Sequence, residues 1–252
     1  MRPLRRRLIM VLVLALGSTA GKSAHARSLV ADLSEHLIAI TTAFVGTDVV
    51  LFGTSDGSGD IVVTVRGPRQ NVVVRRKAEI AGIWVNRESV EFQRVPGYYA
   101  VASSAPLDQI ATPDVLARHE LGVEHLNLEP VDATELEISQ IKAFQDALVR
   151  NKQRQRLYTS APSPVNFIGT NLFRTTLGFP ANVGPGIYQV EVFEFEDGHI
   201  TDAQRSALVI SKVGLEADVF DYAQHRSALY GLFAILMAVA LGWLGGVVFR
   251  RD

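Results

Sequence analysis

Val49-Val-Leu-Phe52, Ile61-Val-Val-Thr-Val65 and Val72-Val-Val-Arg-Arg76 are three β-rich runs, separated by Ser55-Asp-Gly-Ser-Gly59 and Gly67-Pro-Arg-Gln-Asn71. Short β-branched segments bounded by turn residues read as strands of an antiparallel sheet. The pattern extends on both sides, with Leu37–Phe44 before these runs and Gly82–Val85, Ser89–Gln93 and Tyr98–Ala102 after them. Gly46-Thr-Asp48 and Pro96-Gly97 supply further turn chemistry, through positive φ at glycine and fixed φ at proline. Seven closely spaced strands of this kind predict a β-sandwich.

Strands return at Phe173–Phe179 and Gly186–Phe195, then a turn at Glu196-Asp-Gly-His199 leads to Ala207–Val213. Pro185-Gly186-Ile-Tyr188 opens the second of these and places Tyr188 where a tyrosine corner sits in immunoglobulin-like domains. The expected fold class is therefore mainly β, an immunoglobulin-like sandwich. The strands of 27–105 and 161–215 fit either one sandwich or two.

Between them, residues 106–160 change period. Thr112-Pro-Asp114 reads as an N-cap with proline at the first helical position, closed by Gly122. Asp132-Ala-Thr-Glu135 has the form of a capping box and opens a longer helix whose Ile138, Ile141, Phe144 and Leu148 recur at spacings of three and four. Arg150, Lys152, Arg154 and Arg156 follow, where cations favour the negative end of the helix dipole. A helical hairpin inserted in the sandwich is the expectation.

The two ends carry membrane signals. Arg2, Arg5, Arg6 and Arg7 precede an apolar run, and Ala24-His-Ala26 offers small residues to a signal peptidase, so residues 1–26 read as a cleaved signal peptide. The run from Leu8 to Ala20 is 13 residues, short of the roughly 18 that span a bilayer. Residues 228–249 contain no charge over 22 positions, about 33 Å as a helix, and predict one transmembrane helix after a linker at 216–227. Arg250 and Arg251 follow directly in the tail 250–252, which places the C-terminus in the cytoplasm and the ectodomain in the periplasm. Gly242 and Gly246 stand at the spacing that lets two membrane helices approach closely, although glycine is also common in such helices.

Charge narrows the partners. Between Arg27 and His225 there are 17 basic and 25 acidic residues, a net charge of −8. An acidic ectodomain argues against nucleic acid, whose phosphates need clustered Lys and Arg. There is no cysteine, so stability must come from the core, which a domain of this size permits.

No catalytic or cofactor motif emerges. Asp56-Gly-Ser-Gly-Asp60 alternates oxygen ligands but has Gly67 where a calcium loop needs its glutamate. His119-Glu120 and Glu124-His125 miss the metalloprotease spacing, which puts the second histidine at Val123. No metal and no cofactor are therefore expected. Arg66, Arg69, Arg75, Arg76 and Lys77 form the basic patch of note, a candidate surface for an anion or partner or a strand edge guarded by charge. Arg75 and Arg76 lie on opposite strand faces, so only part of it can converge on one ligand.

Gly67-Pro-Arg-Gln-Asn-Val-Val-Val-Arg-Arg-Lys77, Ala81-Gly-Ile-Trp-Val-Asn86, Gly97-Tyr-Tyr-Ala-Val-Ala-Ser103 and Lys212-Val-Gly-Leu-Glu-Ala217 resemble an alphaproteobacterial family of transmembrane proteins of unknown function. The resemblance implies a bacterial inner-membrane protein with a periplasmic domain, encoded near a sulfite-exporter-type permease, and assigns no residue a role. The functional expectation is a membrane-anchored interaction module, accessory to a membrane transporter. The alternatives are a periplasmic ligand-binding or sensing domain that uses the basic patch, and an enzyme of a type the sequence does not reveal.

Overall fold

Alternation sets the first sheet. In β3 (Gly46–Thr54) Val49 and Leu51 point inward while Val50 and Phe52 face out, and β11 (Leu172–Pro180) buries Phe173, Leu177 and Phe179 in the same rhythm. A computed structural model describes residues 29–56, 59–80, 82–131, 137–213 and 227–248. Residues 1–28, with the signal-peptide reading, and the capping box at Asp132–Glu135 lie outside the described residues. With β1 (Val30–Leu33) and β10 (Asn166–Ile168), the first sheet has the order β1-β3-β11-β10. The second contains β2 (Leu37–Ile40), β4 (Asp60–Arg66), β7 (Tyr99–Ser103), β9 (Ser163–Pro164), β12 (Gly186–Glu196) and β13 (His199–Lys212) in the order β2-β13-β12-β4-β7-β9.

Early and late strands share both sheets, since β3 pairs with β11 and β4 with β12. The two sequence segments thus build one sandwich. Phe173, Phe179, Tyr188, Val190 and Leu208 contribute to its core. At the turn after β12, Asp197 and Gly198 take positive φ of 51° and 81°, the backbone a two-residue hairpin requires. The Tyr188 hydroxyl donates to the Gly184 carbonyl at 2.6 Å, pinning the start of β12 to the loop before it.

Two expected turns are not turns. The expected separate strands Gly82–Val85 and Ser89–Gln93 are one strand, β6 (Ile83–Pro96), paired along its length with β5 (Arg69–Ile80). This hairpin forms a separate three-stranded sheet with β8 (Glu129–Pro130) but keeps the register of the β4–β7 pair across two residues on each side: Arg66 opposes Tyr99, the Gly67 N–H donates to Tyr98 O at 2.8 Å, the Gly97 N–H donates to Pro68 O at 2.8 Å, and Arg69 opposes Pro96. Gly67 is there for space, because a Cβ would come within 2.9 Å of the Tyr188 ring and of the Tyr98 amide. Glycine within a strand often marks such a close approach.

The helices cover the second sheet instead of forming a helical hairpin. β4 and β7 are buried on both faces, and α1 (Leu107–Ile110) and α2 (Pro113–His119) bury Leu107, Ile110 and Leu116 in the same core. Glu120 ends α2 in the left-handed region (φ 52°), two residues before the expected Gly122. α3 (Ile138–Arg154) packs along β5, with Phe144 and Leu148 buried and the Arg76 guanidinium 4.9 Å from the Phe144 ring centroid. Ile138, expected on the apolar face, is 86% exposed. It begins the helix nearly two turns before the buried contact at Phe144.

The last helix, α4 (Ser227–Val248), is 22 residues long. Among the fully described residues no helix is long and apolar enough to cross a membrane.

Four buried tyrosines give the sandwich an alkaline limit. Burial raises the phenol pKa of Tyr188 to about 12, and of Tyr98, Tyr99 and Tyr158 further still, while in an unfolded chain each ionises near about 10. The folded state therefore keeps protons that the unfolded state releases above that value, and this stability is complete below about pH 10 and lost as pH rises through and beyond 12. We expect a urea midpoint that holds between pH 7 and 9 and falls steeply above 10, with tyrosinate absorbance from these residues appearing only on unfolding. Tyrosinate absorbance preceding the loss of β structure contradicts this.

Candidate functional site

The Arg66 side chain ends β4 on the face covered by α2, and its fate decides how the basic patch works. Its Nη1 donates to Glu191 of β12, its Nη2 donates to the His119 carbonyl at 2.6 Å, and its Nε lies 3.6 Å from the Glu120 carboxylate. Arg205 of β13 approaches Glu191 from the solvent side. Glu191 is 5% exposed in its side chain and Arg66 13%, against 74% for Arg205. Arg66 thus joins the carbonyl end of α2, the negative end of its dipole, to an inner carboxylate.

Tyr99 holds the neighbouring wall. Its hydroxyl donates to Glu120 O and accepts from the Gly122 N–H, both at 2.8 Å. This fixes the turn between α2 and the short 3₁₀ segment Val123–His125. The His119 ring sits edge-on to Phe193, with centroids 5.8 Å apart. Arg66, His119, Glu120, Glu191, Phe193 and Arg205 line an open, polar groove of about 680 Å³, to which Arg69, Arg118, Glu124 and His125 also contribute.

The five basic residues do not converge. Arg66 is committed to internal acceptors and Arg69 lies at the groove rim. Arg76 pairs with Glu88 at 3.1 Å out on the hairpin, and Arg75 and Lys77 are exposed beside it, roughly 20 Å or more along the strand from Arg69. Arg118 and Arg205 carry no signal in the sequence, while Glu191, with Glu194, Glu196 and Asp197, reads as one of four near-neighbour carboxylates on a hairpin without the separation that acid–base work needs. Glu191 alternates with inward residues and so reads as solvent-facing; only the covering helix buries it.

Chemically, the groove offers cations and imidazoles to an anionic group. Among the described residues, no group of three or more His, Asp or Glu is placed to hold a metal ion. In the calcium-like loop, Gly57 and Ser58 lie outside the described residues. In α4, a Cβ at Gly242 would meet nothing within 4 Å; the surroundings of Gly246 lie outside the described residues.

The hydrophobic helix after an all-in-one sandwich is matched by a family whose description reads "Putative transmembrane protein (Alph_Pro_TM)", over residues 28–251. The chain belongs to the Alph_Pro_TM family. No curated protein and no solved structure matches it. The description of the Alph_Pro_TM family suggests a membrane protein, and in this chain the matched residues include the sandwich at 29–213 and the helix Ser227–Val248.

Proposed function

We propose that this chain is an interaction module of the bacterial inner membrane: exported by its N-terminal signal, anchored by α4 as a single span with the C-terminus in the cytoplasm, and docked through its periplasmic sandwich to a membrane protein such as a transporter-type permease. The observation that carries the reading is the outer face of the four-stranded sheet. Val30, Val50, Phe52, Ile168 and Leu172 are all exposed there, and Val30, Thr54, Leu172 and Ile168 stand in one cross-strand row. Exposed apolar side chains gathered on one sheet face mark a protein contact better than scattered ones do.

Architecture and span add support. The order β1-β3-β11-β10 corresponds to the A-B-E-D sheet of immunoglobulin-like domains and β13-β12-β4-β7 to their G-F-C-C′ sheet, with Tyr188 bonded as a tyrosine corner. The 22 residues of α4 are about 33 Å long, enough for a hydrocarbon core, and Leu232, Ile235, Leu236, Leu241 and Trp243 leave it uncovered on its described faces. A second reading, binding of an anionic ligand, is favoured by Arg69, Arg118 and His125 around the groove.

Crosslinking and copurification from mildly solubilised membranes test the first reading. Phe52→Glu with Leu172→Glu, both outward and exposed, is expected to lower partner recovery by about tenfold or more, roughly 1.4 kcal/mol, at equal membrane abundance. Unchanged recovery removes this face from the contact. Loss of recovery on Arg69→Ala with Arg118→Ala instead shifts the weight to the groove.

A further inference from the structure

We infer that the tip of the β5–β6 hairpin is a membrane-contacting loop that seats Ile83 and Trp84 in the anionic headgroup region of the bilayer to which α4 anchors the chain. The inference rests on the anchor reading above and adds a second point of membrane contact.

Direction comes from the register. β4 and β13 are both antiparallel to β12 and so run the same way. The hairpin extends β4 in line through Gly67 and Gly97. It therefore leaves the sheet toward the side on which the chain leaves β13 for α4. Reach agrees: 14 residues lie beyond Arg66 up to Ile80, about 46 Å of strand at 3.3 Å per residue. The 14 residues between Lys212 and Ser227 span at most about 50 Å.

The tip has the chemistry of a bilayer interface. Ile83 is 67% and Trp84 64% exposed, beside Val85. Gly82 turns the chain with φ +80° and nothing within 4 Å of a Cβ. Tryptophan favours the headgroup level, with its ring in the apolar side and its N–H toward water. Behind the apolar tip stands a collar of exposed Arg75, Lys77 and Arg87, with Arg76 already paired to Glu88. Across residues 73–89 basic residues outnumber acidic ones by four to two, in an ectodomain whose net charge is −8. A cationic collar on an acidic domain complements anionic lipid. An apolar wedge of three residues, with Glu79 opposite Trp84 and the cations behind them on the hairpin, suits a charged, deformable surface better than a protein pocket.

The chain has two tryptophans, Trp84 and Trp243, which makes the two readings separable. The anchored chain is reconstituted in phosphatidylcholine vesicles with increasing phosphatidylglycerol, using acyl chains brominated at shallow or deep positions. With Trp243→Phe, the emission of Trp84 is expected to fall by half or more with shallow bromines, less with deep ones. Quenching should rise with phosphatidylglycerol and weaken in a variant that also carries Arg75→Gln, Lys77→Gln and Arg87→Gln. With Trp84→Phe, Trp243 is expected to be quenched by deep bromines, which reports the anchor alone. Trp84 open to aqueous iodide and indifferent to brominated lipid, while Trp243 is quenched, overturns the inference and leaves the anchor standing; protection of Trp84 in native membranes but not in vesicles then assigns the tip to a protein partner. Trp243 unquenched by either probe overturns both readings.

Discussion

Glu191→Ala is expected to destabilise the sandwich by about 2–3 kcal/mol, because it leaves the largely buried Arg66 guanidinium with the longer 3.6 Å contact to the Glu120 carboxylate in place of its short pair. Two features make the effect large. The pair is largely buried at the wall of the open groove, so screening weakens it only in part, and Arg66 also holds the His119 carbonyl, so a displaced guanidinium releases the end of α2. The cost belongs to the orphaned charge more than to the worth of the pair. Arg66→Met combined with Glu191→Leu is therefore expected to recover most of the loss, as when a buried ion pair is exchanged for apolar groups of similar volume. Arg205→Ala should cost at most about 1 kcal/mol, since that arginine is largely exposed. Urea midpoints of the three variants read this directly. A Glu191→Ala variant within 1 kcal/mol of the parent would show that Arg66 finds water or Glu120 instead.

The second large effect lies at the root of the projecting hairpin. Tyr98 stacks on Phe179 with centroids 5.0 Å apart and an interplanar angle of 22°, meets Tyr188 at 5.8 Å, and donates its hydroxyl to Gly178 O at 2.7 Å. It thereby ties the strand that enters β7 to β11 of the facing sheet and to β12. Tyr98→Ala opens a cavity among these rings and is expected to cost about 3–5 kcal/mol. Tyr98→Phe keeps the packing but leaves the Gly178 carbonyl unpaired, for about 1–3 kcal/mol. Because Tyr98 sits where the hairpin leaves the sandwich, the alanine variant should also make Arg75, Arg76 and Lys77 more susceptible to trypsin, while the phenylalanine variant should not. Equal digestion rates in both variants and parent would mean that the hairpin is held by α3 and not by its root.

Some of this arrangement is legible in residue order because it is local. Period-two alternation in Val49–Phe52 and Phe173–Phe179, and the Asp197-Gly198 turn, depend on neighbours a few positions apart, and the structure places strands and a hairpin there. The start of α2 after Thr112 follows for the same reason, through its proline at the first helical position. Glycine and proline mislead at Gly67-Pro68 and Pro96-Gly97, where turn chemistry serves a strand crossing beneath Tyr188. A residue that permits a turn does not compel one; the packing partner chooses.

By itself, then, the sequence determined a mainly β chain with an uncharged apolar segment near its end and a net negative charge between Arg27 and His225, since composition and short-range period carry that information. Only the tertiary structure decided that early and late strands close one sandwich, that Glu191 is an inner carboxylate held by Arg66, and that four basic residues separate between groove and hairpin. Each of these depends on contacts between residues up to 173 positions apart, whose free energy comes from burial and pairing across elements that no local pattern records.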